Sequence, residues 1–183
     1  MFKQLKLENK EMKDTLFDPD LFEKYSEEQI KIIQFLSKCG VSNFSFNPDG
    51  SVDIDGNVNL SSQNLTEIPF KFGKVTGNFY CYNNNLTSLE SCPTSVSGNF
   101  DCSYNKLISL EHCPTSVGGH FNCYYNNKLI SLKGCPTSVS GNFDCSYDKL
   151  TSLEYCPTSV GGNFRCDNNS KQFTKEEVRS IVS

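Results

Sequence analysis

The stretch Gly98-Asn99-Phe100-Asp101-Cys102-Ser103-Tyr104-Asn105-Lys106-Leu107-Ile108-Ser109-Leu110-Glu111-His112-Cys113-Pro114-Thr115-Ser116-Val117-Gly118 decides the fold of this chain, because it recurs. Further copies open at Gly77, Gly119 and Gly141, a truncated copy opens at Gly162, and a degenerate one opens at Gly56. The period is 21 residues, lengthened to 22 in the copy from Gly119 by one extra residue near Asn126-Asn127. A fixed period in this range denotes a solenoid, in which each unit buries its apolar face against its neighbours and not alone.

Within a copy, apolar Phe100 and Cys102 alternate with polar Asn99, Asp101 and Ser103. Period two over five residues predicts a half-buried strand. The inward pair recurs as Val58/Leu60, Phe79/Cys81, Phe121/Cys123, Phe143/Cys145 and Phe164/Cys166. In-register stacking of these strands gives a parallel sheet with neighbours about 4.8 Å apart. A second apolar series, Leu65/Ile68, Leu86/Leu89, Leu107/Leu110, Leu129/Leu132 and Leu150/Leu153, turns back into the interior. The prolines of Cys-Pro-Thr-Ser-Val (Pro93, Pro114, Pro136, Pro157) keep the return extended, and Val75, Val96, Val117, Val139 and Val160 close the interior. The glycine that opens each copy suits a bend into the strand.

Phe-x-Cys-x-x-Asn-x-Leu-x-x-Leu resembles the leucine-rich-repeat pattern Leu-x-Leu-x-x-Asn-x-Leu over residues 56–173, with Cys where that family usually carries a large aliphatic residue. The Gly-Asn-Phe-x-Cys and Cys-Pro-Thr-Ser versions look most like repeats encoded by large DNA viruses and phages. The resemblance implies a β-rich member of the α/β horseshoe class. Its parts would be a parallel concave sheet of about six rungs, little convex helix and a partner-binding role. It also implies that the repeated Asn (Asn84, Asn105, Asn126 and Asn169, with Asp148 in the matching slot) hydrogen-bonds the turning backbone.

Flanking segments read as caps, which a solenoid needs at its ends. Residues 1–17 lack periodicity and are expected to be flexible. Residues 18–55 form an N-terminal cap. There Ser26-Glu27-Glu28-Gln29 is a capping box opening a helix that carries Ile30, Ile33 and Leu36 and stops near Gly40. Two strands around Asn47-Pro48-Asp49-Gly50 follow it. Residues 174–183 form a short helical cap from the capping box Thr174-Lys175-Glu176-Glu177, with Val178, Ile181 and Val182 as a lid.

The chain of 183 residues is acidic, with formal charge −4 and pI about 5.2. Without a basic run it is a poor candidate for nucleic acid. No apolar stretch has the length of a membrane span or a signal peptide, so a cytoplasmic, intracellular location is expected. Nine of the ten cysteines sit in two repeat columns, Cys81/Cys102/Cys123/Cys145/Cys166 and Cys92/Cys113/Cys135/Cys156, with Cys39 apart. Three readings stand for them: a buried column of small apolar side chains, disulfides between rungs, or a metal site. The lack of Cys-x-x-Cys and the in-register geometry weigh toward the first, so no cofactor or metal is expected. Of the two histidines, His112 lies in a turn and His120 takes an outward strand slot. A Cys–His nucleophile pair is conceivable, but Cys113 and Cys123 occupy interior slots. No acid–base or nucleophile constellation recurs, and no enzyme is expected.

The outward strand slots run Asn57/Asn59/Ser61, Asn78/Tyr80/Tyr82, Asn99/Asp101/Ser103, His120/Asn122/Tyr124, Asn142/Asp144/Ser146 and Asn163/Arg165/Asp167. An edge column of Ser62, Asn83, Tyr104, Tyr125, Tyr147 and Asn168 runs beside them. Tyr supplies rigid amphipathic contact area and Ser and Asn supply adaptable hydrogen bonds, as in paratopes. Tyr80, Tyr82, Tyr104, Tyr124, Tyr125 and Tyr147 are the candidate contacts for a protein or peptide of neutral to basic character. The alternative is a structural or self-assembling element that stacks through its ends. The chain is expected to be a monomer or a weak homo-oligomer.

Overall fold

The computed structural model describes residues 5–6 and 23–180, and it is a parallel β-solenoid. Its elements in chain order are β1 (Leu5–Lys6), α1 (Glu27–Lys38), β2 (Asn43–Phe46), β3 (Val52–Ile54), β4 (Val58–Asn59), β5 (Phe72–Val75), β6 (Phe79–Tyr80) and β7 (Ser95–Val96). They continue with β8 (Phe100–Asp101), β9 (Ser116–Val117), β10 (Phe121–Asn122), β11 (Ser138–Val139), β12 (Phe143–Asp144), β13 (Ser159–Val160), β14 (Phe164–Arg165) and α2 (Lys175–Arg179).

Each rung contributes to two sheets. The Phe-x strands form a 6-stranded sheet in the order β14-β12-β10-β8-β6-β4. The Ser-Val segments, expected only to close the interior, form strands of their own. They belong to an 8-stranded sheet in the order β1-β2-β3-β5-β7-β9-β11-β13. The regular strands are two residues long in the full repeats, shorter than the five-residue alternation suggests, although rung-to-rung hydrogen bonds continue past them, from Cys102 N–H to Asn122 O and from Tyr104 N–H to Tyr124 O. Register follows the sequence period: Phe121 pairs with Phe100 and Phe143, and Ser95 with Ser116. Phe100 N–H donates forward to His120 O at 2.8 Å, whereas Thr115 N–H donates back to Thr94 O at 3.0 Å.

The core runs between the sheets. Phe79, Phe100, Phe121 and Phe143 are fully buried and stack rung on rung, at 5.8, 5.4 and 5.3 Å between successive ring centroids, with Phe164 following at 5.2 Å. The Leu pairs of the turns fill the remaining space and are likewise buried, except Leu65 of the first, which is half-buried. Gly77, Gly98, Gly119, Gly141 and Gly162 sit at the bend into the strand, as expected, and are also crowded by the preceding rung. A Cβ on Gly98 would lie 2.8 Å from the backbone carbon of Gly77, closer than any real Cβ contact, and Gly98 has no positive φ.

At the N-terminal end Val58 and Leu60 replace Phe and Cys and are fully buried, because Ile33 and Leu36 of α1 belong to the same core. The α1 capping box is formed: Gln29 N–H donates to Ser26 Oγ and Ser26 N–H donates to Gln29 Oε1. The β2–β3 hairpin extends the larger sheet, and Leu5–Lys6 add to its edge by antiparallel pairing with β2. At the other end Phe173 and Val178 pack against the last rung. Thr174 and Glu177 form the second capping box. Ile181, Val182 and most of segment 1–17 lie outside the described residues. No described helix is long and apolar enough to cross a membrane.

Candidate functional site

Residues between the buried Phe and Cys must project from the 6-stranded sheet, and they divide by rung. In three rungs the first outward residue is Asn or Asp and the next is Ser. Asp101 Oδ1 accepts from Ser103 N–H at 3.0 Å and from the Ser103 hydroxyl at 2.5 Å. Asn59 holds Ser61 in the same way, and Asp144 Oδ1 accepts from Ser146 N–H. These local turns draw Ser103 and Ser146 under the surface, to 1% and 5% exposure, so the two serines are not outward contacts as the alternation implied. In the rungs between, Tyr82 and Tyr124 take the serine slot and rise over it.

The next residue in each rung has a left-handed backbone. Tyr104, Tyr125 and Tyr147 have φ of 51°, 58° and 58°, as do Ser62 (58°), Asn83 (54°) and Asn168 (56°) toward the ends. Asn tolerates this region and a bulky ring does not; the conformation costs about 1 kcal/mol for an ordinary residue. Stacking offsets part of that cost. Tyr104 and Tyr125 lie parallel at 4.7 Å, and Tyr125 and Tyr147 at 4.4 Å. Tyr124 meets Tyr104 edge-on at 5.3 Å, and Tyr80 meets Tyr82 at 6.3 Å.

All six tyrosines singled out in the sequence therefore line one face. Tyr82, Tyr104, Tyr125 and Tyr147 are exposed, and Tyr80 and Tyr124 are half-buried. They border two adjoining hollows of about 720 and about 1030 Å³ that share His120, Asn122 and Tyr124. Partial burial raises the Tyr124 hydroxyl above its ordinary value, and a hydrogen bond with Ser103 opposes it. Desolvation by its neighbours also raises the Tyr125 hydroxyl above its ordinary value. Asp101, Asp144 and Asp167 line the face against a single Arg165, whose Nη1 is 4.0 Å from Asp144 Oδ2. That pair is too long and too exposed to contribute much, and the face keeps an acidic bias.

Other outward residues serve the scaffold. Asn78 Oδ1 accepts from Asn99 N–H at 2.7 Å, and Asn57, Asn99 and Asn142 repeat the contact with the rung after each. His120 substitutes within this column: its Nδ1 accepts from Asn142 N–H at 2.8 Å, which puts the ring proton of the neutral form on Nε2. Its outward strand slot alone does not reveal this role. The signal that could have placed it is that it fills an Asn slot where an acceptor is repeated.

Asparagines after the tyrosine edge form a buried ladder. Asn105 Oδ1 accepts from Leu86 N–H at 3.0 Å, and its Nδ2 donates to Cys81 O at 3.0 Å and Cys102 O at 3.1 Å. Each such amide ties its own turn to the preceding one, fixing the backbone that carries the adjacent tyrosine.

The ten cysteines are free thiols. Cys81, Cys102, Cys123 and Cys145 are fully buried; Cys39 and Cys135 are half-buried. Burial pushes the Cys113 thiol up to about 12 and the Cys102, Cys123 and Cys145 thiols well above their ordinary value, the reverse of what activates a nucleophile. Cys113 Sγ instead donates to Gly134 O at 3.0 Å. Among the described residues no group of three or more His, Cys, Asp or Glu side chains could hold a metal ion. No protein-family model, curated protein or solved structure matches the chain.

Proposed function

We propose that the protein is a non-catalytic interaction module, and that its tyrosine face docks a protein or peptide of neutral to basic character. The observation that carries this reading is the backbone under Tyr104, Tyr125 and Tyr147. A left-handed conformation that disfavours large side chains holds three exposed rings, while rungs toward the ends carry Ser or Asn there. The ladder supplies rigid aromatic anchors of the kind that dominate interface energy, and the acidic bias favours a cationic partner. The asparagine ladder, in the slot of the leucine-rich-repeat motif, supports membership of that type, and the free thiols fit a reducing intracellular compartment.

The experiment is capture from lysate with the wild type and with a variant carrying Ser at Tyr82, Tyr104, Tyr124, Tyr125 and Tyr147, both shown to fold by circular dichroism. Loss of a partner held by the wild type is the expected result. A partner held equally by both would move the site off this face and defeat the proposal.

Self-assembly is the second reading. It is favoured by the C-terminal end, where β14 closes the 6-stranded sheet and Phe164 stays half-buried. It requires concentration-dependent association that changes at the caps remove and changes at the tyrosines do not.

A further inference from the structure

Asp148 breaks the asparagine ladder at a place where the geometry leaves a proton wanting. In the intact part, Cys81 O accepts from Asn84 and Asn105, and Cys102 O accepts from Asn105 and Asn126. Each carbonyl thus receives two amide donors. Cys123 O accepts from Asn126 alone and Cys145 O from Asn169 alone. The missing donor in both cases belongs to the Asp148 slot. Asp148 Oδ1 still accepts from the preceding turn, taking Asn126 N–H at 2.6 Å where Asn105, Asn126 and Asn169 take a Leu N–H. Its Oδ2, in the donor half, is buried without a partner, and the residue is 2% exposed.

An ionised carboxylate has no donor and would set a second charged oxygen in a site built for an NH2 group between two carbonyls. A neutral carboxylic acid has the donor. We propose that Asp148 is a built-in pH switch: protonated at neutral pH, it donates from Oδ2 to the Cys123 or Cys145 carbonyl, and its ionisation loosens the turn that carries Tyr147. The groups around it favour the acid. Asp144, on the preceding strand of the same rung, adds like charge, and the neighbouring Cys102, Cys123 and Cys145 thiols are neutral. The opposing influence is the Asn126 N–H bond to Oδ1. Burial, the largest cause, pushes Asp148 from 3.8 up to about 8.

The direction of the effect follows. A carboxyl raised in the folded chain keeps a proton that the unfolded chain has shed, so stability falls as pH rises between the two values and levels off above the higher one. The switch holds whatever binds the tyrosine face, since it concerns the rung beneath it.

The test compares wild type with Asp148→Asn, which restores the ladder residue, by urea unfolding from about pH 5 to about pH 9. Relative to the variant, the unfolding constant of the wild type should rise by about tenfold per pH unit and flatten near pH 8. Infrared difference spectra at neutral pH should show a protonated carboxyl band in the wild type that the variant lacks. Tyr147 ring resonances should shift with the same midpoint in the wild type alone. Parallel pH profiles for the two proteins, or a carboxylate band at neutral pH, would overturn the proposal.

Discussion

Replacing Asn105 by Ala tests whether the amide ladder holds the rungs. The side chain is 5% exposed and bridges two turns. Its removal leaves the buried Leu86 N–H without an acceptor, a loss of about 1–3 kcal/mol. The two donated bonds, to Cys81 O and Cys102 O, are worth about 0.5–1.5 kcal/mol each, toward the lower end because both carbonyls keep another amide donor. Together these give a destabilisation of about 3 kcal/mol, which in a chain of this size lowers Tm by about 10 °C. Urea unfolding followed by far-ultraviolet circular dichroism measures it, with Ile108→Ala as control because that side chain is 60% exposed and makes no such bond. Asn105→Asp should behave like a second Asp148, tolerated in mild acid and destabilised as pH rises. An Asn105→Ala protein within about 0.5 kcal/mol of wild type, no different from the control, would show that the ladder is incidental to rung stacking.

Phe121→Ala, in the middle of the buried ring stack, should cost about 3–5 kcal/mol, whereas Phe164→Ala at the half-buried end should cost clearly less; equal values in urea unfolding would contradict the stacked core. His120→Asn should leave stability within about 0.5 kcal/mol, because Asn fills the same slot in other rungs, while His120→Ala should cost about 1 kcal/mol by orphaning Asn142 N–H. In the native protein Cys39 and Cys135 should react with a thiol reagent before Cys102, Cys123 and Cys145, as mass spectrometry of peptides would show; prompt labelling of the deep column would refute its burial.

Repetition made the solenoid legible. The alternation of Phe100 and Cys102 with polar neighbours names an inward and an outward face, and six copies fix which residues stack. The second sheet was not legible, because Ser-Val is too short to show a period and its pairing partner lies 21 residues away. The bend at the opening glycines was legible, whereas the crowding that also holds those positions to glycine comes from the neighbouring rung's backbone and was not. At the candidate site the tyrosines stand out by type, yet the tucked serines do not. Ser103 tucks under because its small hydroxyl can reach the Asp101 carboxylate two residues earlier, a contact that the tyrosine rings in the same slot do not make. The Asp148 substitution is visible in the sequence, but its meaning depends on counting donors to Cys123 and Cys145 carbonyls in three dimensions.

The central claim is that the tyrosine ladder exists for binding and not for stability. The direct measurement replaces Tyr104, Tyr125 and Tyr147 together by Asn, the residue that Asn83 and Asn168 show the backbone accepts, and records both unfolding and capture of the partner. Two lost stacked pairs and two lost edge contacts with Tyr124, about 1 kcal/mol each, oppose relief of strain of about 1 kcal/mol at each of three positions, so the two sums nearly cancel and stability should change by only about 1 kcal/mol. The account predicts near-unchanged stability with the partner lost. A protein that loses several kcal/mol yet still holds its partner would make the ladder a structural spine and contradict the claim.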